Sequence, residues 1–153
     1  MPAFCRKKRR HAVHSMTFDS WYIDQFRDML GEPLSESDGI PDSMIDGLLN
    51  GRQIPEAMRA YYRVAGNHWL NRNHNELRTL DSFESTDGHT IFMDENQVVV
   101  QWAIRDTDLL ADDPIVYQGQ RVDSGYEWYV EKCTFSRFMI AMWRWILTGE
   151  DPG

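Results

Sequence analysis

Apolar residues recur at helical spacing at the start of the ordered pattern. Phe18, Trp21, Tyr22, Gln25, Phe26 and Met29 fall on one stripe, which predicts a helix over residues 17–30. Thr17 can accept a hydrogen bond from the first-turn N–H groups, and Gly31 provides the stop. Leu34 to Asp42 is rich in Ser, Asp, Gly and Pro and reads as a loop. Ser43 to Leu49 is a short helical turn ending at Asn50-Gly51. Ile54-Pro55-Glu56 opens a further helix. Pro suits a first turn because its missing N–H would have had no partner there, and Glu56 sits near the positive end of the helix dipole. Ile54, Met58, Tyr61, Tyr62 and Ala65 form its buried face, and Gly66-Asn67 ends it.

The period then changes to two. Thr90 to Met93 and Gln97 to Ile104 flank the polar Asp94-Glu95-Asn96, which predicts a hairpin. Leu77 to Phe83 is an earlier strand, Ile115 to Tyr117 a short one after Pro114, and Tyr126 to Glu131 another. In that last strand Tyr126, Trp128 and Val130 share one face, which puts Trp128 in the core and leaves Tyr129 exposed. Thr134 or Ser136 caps a final helix through Leu147. Its better buried stripe is Phe138, Met142, Trp145 and Ile146, and Met139 with Trp143 makes a second strip, so the helix is expected to be buried on two sides. The order of helices, then sheet, then helix is that of an α+β domain.

Taken together, these segments resemble the SMI1/KNR4 (SUKH) superfamily. Its members show a Leu-Pro opening an aromatic-containing helix that ends in a Gly-bearing turn, matched by Ile54-Pro55 through Tyr61-Tyr62 to Gly66-Asn67. A hairpin with a tryptophan-bearing second strand follows, matched by Ile91-Phe92, Glu95-Asn96-Gln97 and Trp102-Ala103-Ile104. Asp-Pro before an apolar strand is matched by Asp112-Asp113-Pro114-Ile115-Val116, and the closing strand and helix by Trp128 and Ser136-Arg137-Phe138. The resemblance covers about residues 17–147. The chain departs from it in having Ile54 for the usual Leu and no Gly-Gly pair after the helix. The resemblance implies a curved, mainly antiparallel sheet flanked by helices, and protein binding rather than catalysis. In bacteria it implies an immunity protein that neutralises a cognate toxin, often a nuclease. Fungal relatives are linked to regulation of cell-wall synthesis, so a regulatory adaptor is the alternative.

Charge sharpens the partner. The 153 residues carry 16 basic and 24 acidic side chains, a net charge of −8. Arg6, Lys7, Lys8, Arg9 and Arg10 supply five of the positive charges, which leaves 11 basic against 24 acidic residues, a net of −13, for the rest. Such a body is repelled by nucleic acid and anionic membranes and attracts a basic protein. Residues 1–15 are expected to be a basic extension, with Met16 as the true start and a single domain over 16–150. Arg6 to Arg10 can alternatively be read as a basic arm or nuclear signal. Ala12 to Met16 is too short and polar for a signal-peptide core, and no apolar run approaches the ~20 residues of a membrane span. Cys5 and Cys133 make neither a disulfide framework nor a zinc pattern, which fits a reducing cytosol.

Chemistry has little to work with. His68 and His74 lie in an Asn-rich loop without zinc spacing, and Asp94, Asn96 and Gln97 are explained by the turn they make. Neither a nucleophile elbow nor a phosphate-binding glycine motif is present, so no metal or cofactor is called for. Asp106, Asp108, Asp112 and Asp113 crowd one connection. As paired carboxylates they could serve a small hydrolase, the reading from a different class. As a patch they would steer a basic partner and raise its on-rate. Trp69, in a polar loop, is a candidate interface anchor or a loop residue folded onto the core, and the exposed Tyr129 is a further candidate contact.

Overall fold

The computed structural model describes residues 17–149. The expected extension 1–15, its basic run and the start at Met16 lie outside the described residues. Four helices flank one sheet: α1 (Phe18–Leu30), α2 (Asp42–Leu49), α3 (Glu56–Ala65) and α4 (Phe135–Thr148). The strands are β1 (Glu76–Leu77), β2 (Glu84–Thr86), β3 (His89–Asp94), β4 (Val100–Arg105), β5 (Ile115–Val122) and β6 (Gly125–Thr134). The sheet is antiparallel in the order β1-β3-β4-β5-β6, and β2 shares the outer edge of β3 with β1. The α+β class with a sheet flanked by helices is therefore observed.

Local chemistry sets the ends of the helices. Thr17 Oγ1 accepts from the Ser20 N–H at 3.2 Å, and Gly31 closes α1 at φ 75°, where a side chain would be strained. The core lies between the helices and one face of the sheet. Phe92 and Trp102 pack against Phe135 and Phe138 of α4. A bulge in β3 between Ile91 and Met93 turns both Phe92 and Met93 into this core. The helix layer is knitted by aromatic rings, with Phe26 stacked on Trp143 at 4.1 Å and Tyr22 edge-on to Tyr61 at 5.5 Å. Its polar tips are satisfied: Tyr22 donates to the Ala57 carbonyl at 2.8 Å, Trp143 donates to the Tyr61 hydroxyl at 2.8 Å, and Tyr61 donates to Asn71.

Four expectations change. The strand expected over Leu77 to Phe83 is two short pieces, β1 and β2, separated by a tight 3₁₀ turn at Leu80–Ser82. The hairpin turn is longer than expected, because Val98 takes φ 57° and, with Val99, stays exposed before β4 begins at Val100. Trp143, only 1% exposed, is the buried tryptophan of α4, whereas Trp145 is only partly covered; the helix is buried on two sides as expected. Cys133 is buried and is not a free thiol, which removes the basis for inferring a reducing compartment.

A further change concerns Trp128. It shares a face with Tyr126 and Val130 as expected, but that face is the one turned away from the helices. Its ring lies flat over Gly119, where a Cβ would meet Cζ3 at 2.6 Å, so only glycine admits it. Trp128 is stacked between His89 at 4.0 Å and Tyr126 at 5.2 Å, and its indole N–H is buried without a hydrogen-bond partner. Arg105 lies 4.6 Å above the Tyr117 ring on the same face. The sheet coils until Gly125, at the β5–β6 turn, comes close to Asp87 at the opposite corner. These rings roof Ile91 and Ala103, both fully buried yet outside the main core.

Candidate functional site

The acidic connection runs from the end of β4 to the start of β5. It opens with a 3₁₀ turn, Asp106–Asp108, and closes at Pro114. Both ends are pinned. The Asp106 carboxylate accepts from the Ser85 hydroxyl and, at 2.6 Å, from the Thr90 hydroxyl, and its backbone N–H donates to the Gly88 carbonyl at 2.8 Å. At the other end the Asp113 carboxylate accepts from the Ser136 N–H at 2.9 Å and from the Ser136 hydroxyl at 2.6 Å. It thereby caps α4 from a distance, a role expected of Thr134 or Ser136, since the Thr134 side chain makes no capping bond.

The middle is anchored as well. The Ala57 N–H in the first turn of α3 donates to the Asp112 carbonyl at 2.8 Å, and Phe135 N–H donates to the Pro114 carbonyl at 2.8 Å. Leu109 packs against the core. What remains outward is Leu110, 76% exposed, between the partly exposed Asp108 and the exposed Asp112. Burial raises the Asp113 carboxyl above its ordinary pKa, against the opposing pull of the Ser136 hydrogen bonds.

The four acids thus divide by role. Asp106 and Asp113 hold the loop, while Asp108 and Asp112 face solvent. Leu110 escaped the sequence argument, although an apolar pair, Leu109-Leu110, inside an acidic loop was a visible signal: one leucine is spent on the core and the other is left over.

The other candidates lie elsewhere. Trp69 is 61% exposed, at the start of a 3₁₀ turn, Trp69–Arg72, beyond the C-terminal end of α3. It stacks on His68 at 5.7 Å, and His68 in turn packs on Trp143 at 4.6 Å. Asp112 meets the opposite end of that 10-residue helix, which is about 15 Å long. Tyr129, 48% exposed, is on β6 and donates to Glu127 at 2.6 Å, a bond that raises its pKa. The structure therefore brings the acids together but not Trp69 or Tyr129.

Over residues 17–149 there are 22 acidic and 11 basic side chains, a net of −11. Arg27, Arg59, Arg63 and Arg78 are engaged by carboxylates elsewhere, at 2.6, 2.7, 2.7 and 2.8 Å. No group of three or more His, Cys, Asp or Glu placed to hold a metal ion occurs among the described residues. No helix among them is long and apolar enough to cross a membrane. Comparisons with protein-family models, curated proteins and solved structures return no match for this chain.

Proposed function

We propose that this protein is a non-catalytic binding module that sequesters a basic protein partner with the Asp106–Pro114 connection, in the manner of an immunity protein occluding a toxin such as a nuclease. The observation that carries this reading is a loop pinned at both ends that still exposes Asp108, Leu110 and Asp112. A pre-ordered loop loses little conformational entropy on binding, so more of its contact energy remains as affinity. The two acids would speed encounter with a basic surface, and the exposed leucine offers an apolar anchor at the centre of the patch. Two of the four carboxylates are committed to holding backbone and hydroxyl donors, which favours this role over the hydrolase reading.

The test is paired affinity capture from the native host with the wild-type chain and with Asp108→Lys combined with Asp112→Lys. The variant should fold with unchanged stability and lose the partner. Measured with the purified partner, association should slow and become less sensitive to salt, since steering acts over a Debye length of about 8–10 Å. A partner retained by the variant at an unchanged low-salt association rate refutes the proposal. A captured regulatory enzyme instead of a basic toxin would support the adaptor reading of the same surface.

A further inference from the structure

We propose that the cavity between Arg52–Ile54, β2 and the Asp106–Leu109 turn binds a small zwitterion with an apolar side chain, of the chemical class of a free amino acid. The cavity has a volume of about 290 Å³. That is at the small end of ligand sites, which run roughly 300–1,000 Å³, and suits a ligand of amino-acid size. Ile54, Phe83 and Leu109 form its apolar wall.

Two fixed charges of opposite sign line the same cavity. The Arg52 guanidinium donates through Nη1 to the Phe83 carbonyl at 3.1 Å, through Nη2 to the Leu80 carbonyl at 3.4 Å and through Nε to the Leu49 carbonyl at 3.4 Å. Carbonyl oxygens fix the fork without neutralising it, and two of its five donors remain to bind a carboxylate. The Asp106 carboxylate is held the same way, by the neutral hydroxyls of Ser85 and Thr90. Its oxygens keep further lone pairs for an ammonium group. Among the described residues neither Arg52 nor Asp106 makes an ion pair. A cation and an anion, each immobilised by neutral groups, are matched by a ligand carrying a carboxylate and an ammonium, while the apolar wall takes its side chain. A ligand with one charge would satisfy one wall and desolvate the other, which is costly.

Asp106 and Leu109 belong to the connection assigned above to partner binding, but the site stands on its own residues. The experiment titrates the full chain with leucine, methionine and phenylalanine by calorimetry and NMR. Matched controls are 3-methylbutylamine, which lacks the carboxylate, and 4-methylpentanoate, which lacks the amine. At least one amino acid should bind saturably at one site with affinity on the order of millimolar, as expected for so few atoms. Both controls should bind at least tenfold more weakly. Arg52→Gln should remove binding. Because Arg52 also ties three carbonyls together, Leu109→Trp, which fills the cavity from its apolar side, serves as the second variant, with circular dichroism confirming the fold of each. No saturable binding by any of the three amino acids, controls that bind as well as the zwitterions, or binding that survives in a folded Leu109→Trp protein would each overturn the assignment.

Discussion

Neighbouring aspartates should respond to mutation in opposite ways. Asp113→Ala removes the side-chain acceptor that caps α4, and a lost N-cap costs about 1 kcal/mol. It also leaves the hydroxyl of Ser136, a residue only 5% exposed, with only a 3.5 Å contact to Thr134 Oγ1, and a poorly satisfied buried polar group costs up to about 1–3 kcal/mol. Against this stands the desolvation that raises the Asp113 pKa, since an ionised buried carboxylate is itself unfavourable and its removal returns part of the loss. The net is about 2 kcal/mol, which for a domain of this size lowers Tm by roughly 4–8 °C. Asp113→Asn keeps one acceptor and should lose about half as much. Asp112→Ala should stay within about 0.5 kcal/mol, because only its backbone carbonyl is engaged. Urea and thermal unfolding of the three variants at neutral pH read this directly. Equal stability of the Asp112 and Asp113 alanine variants would refute the distinction between holding and facing acids on which the site rests.

Two further outcomes follow from other parts of the fold. Burial lowers the His68 pKa against a smaller opposing effect of Asp38, and its Nδ1 accepts from the Leu70 N–H at 3.2 Å, so the folded state resists protonation. The contribution is present above the unfolded value of about 6.5 and is lost as pH falls below it, at up to about 1.4 kcal/mol per pH unit. Unfolding free energies at pH near 7.5 and 5.5 should therefore diverge more for wild type than for His68→Gln, and parallel curves would contradict this. Gly119→Ala places a methyl group into the Trp128 ring and should cost about 1–3 kcal/mol while collapsing the near-ultraviolet dichroism of the Tyr126–Trp128–His89 stack; an unchanged spectrum would show that the rings do not lie as described.

The first helix was legible because period and caps agreed, and α3 because of its period. Thr17 and Gly31 bound α1, and the aromatic stripe of α3 faces the core. The hairpin of β3 and β4 was legible in type but not in extent, because Val98 and Val99 are β-branched and read as strand while one of them occupies a turn at positive φ. Trp128 and Trp143 were misjudged for one reason. Alternation and helical period assign a residue to a side, but whether that side meets helices, solvent or a roof of other rings is decided by distant partners, such as Phe26 for Trp143 and Gly119 for Trp128. The acidic connection was visible as composition. Its division into holding and facing carboxylates depends on Ser85, Thr90 and Ser136, which no local pattern links to it.

The pairing of β3 with β4, β4 with β5 and β5 with β6 joins each strand to the next along the chain. Such a meander closes short loops only and can assemble hairpin by hairpin as the polypeptide is made. The layer over it obeys a different clock. Phe26 reaches its stacking partner only when Trp143 has been synthesised, and Tyr61 waits for the same indole. A chain shortened before α4 lacks the indole that covers Phe26 and Tyr61. α4 is thus the element that completes the aromatic layer over the sheet.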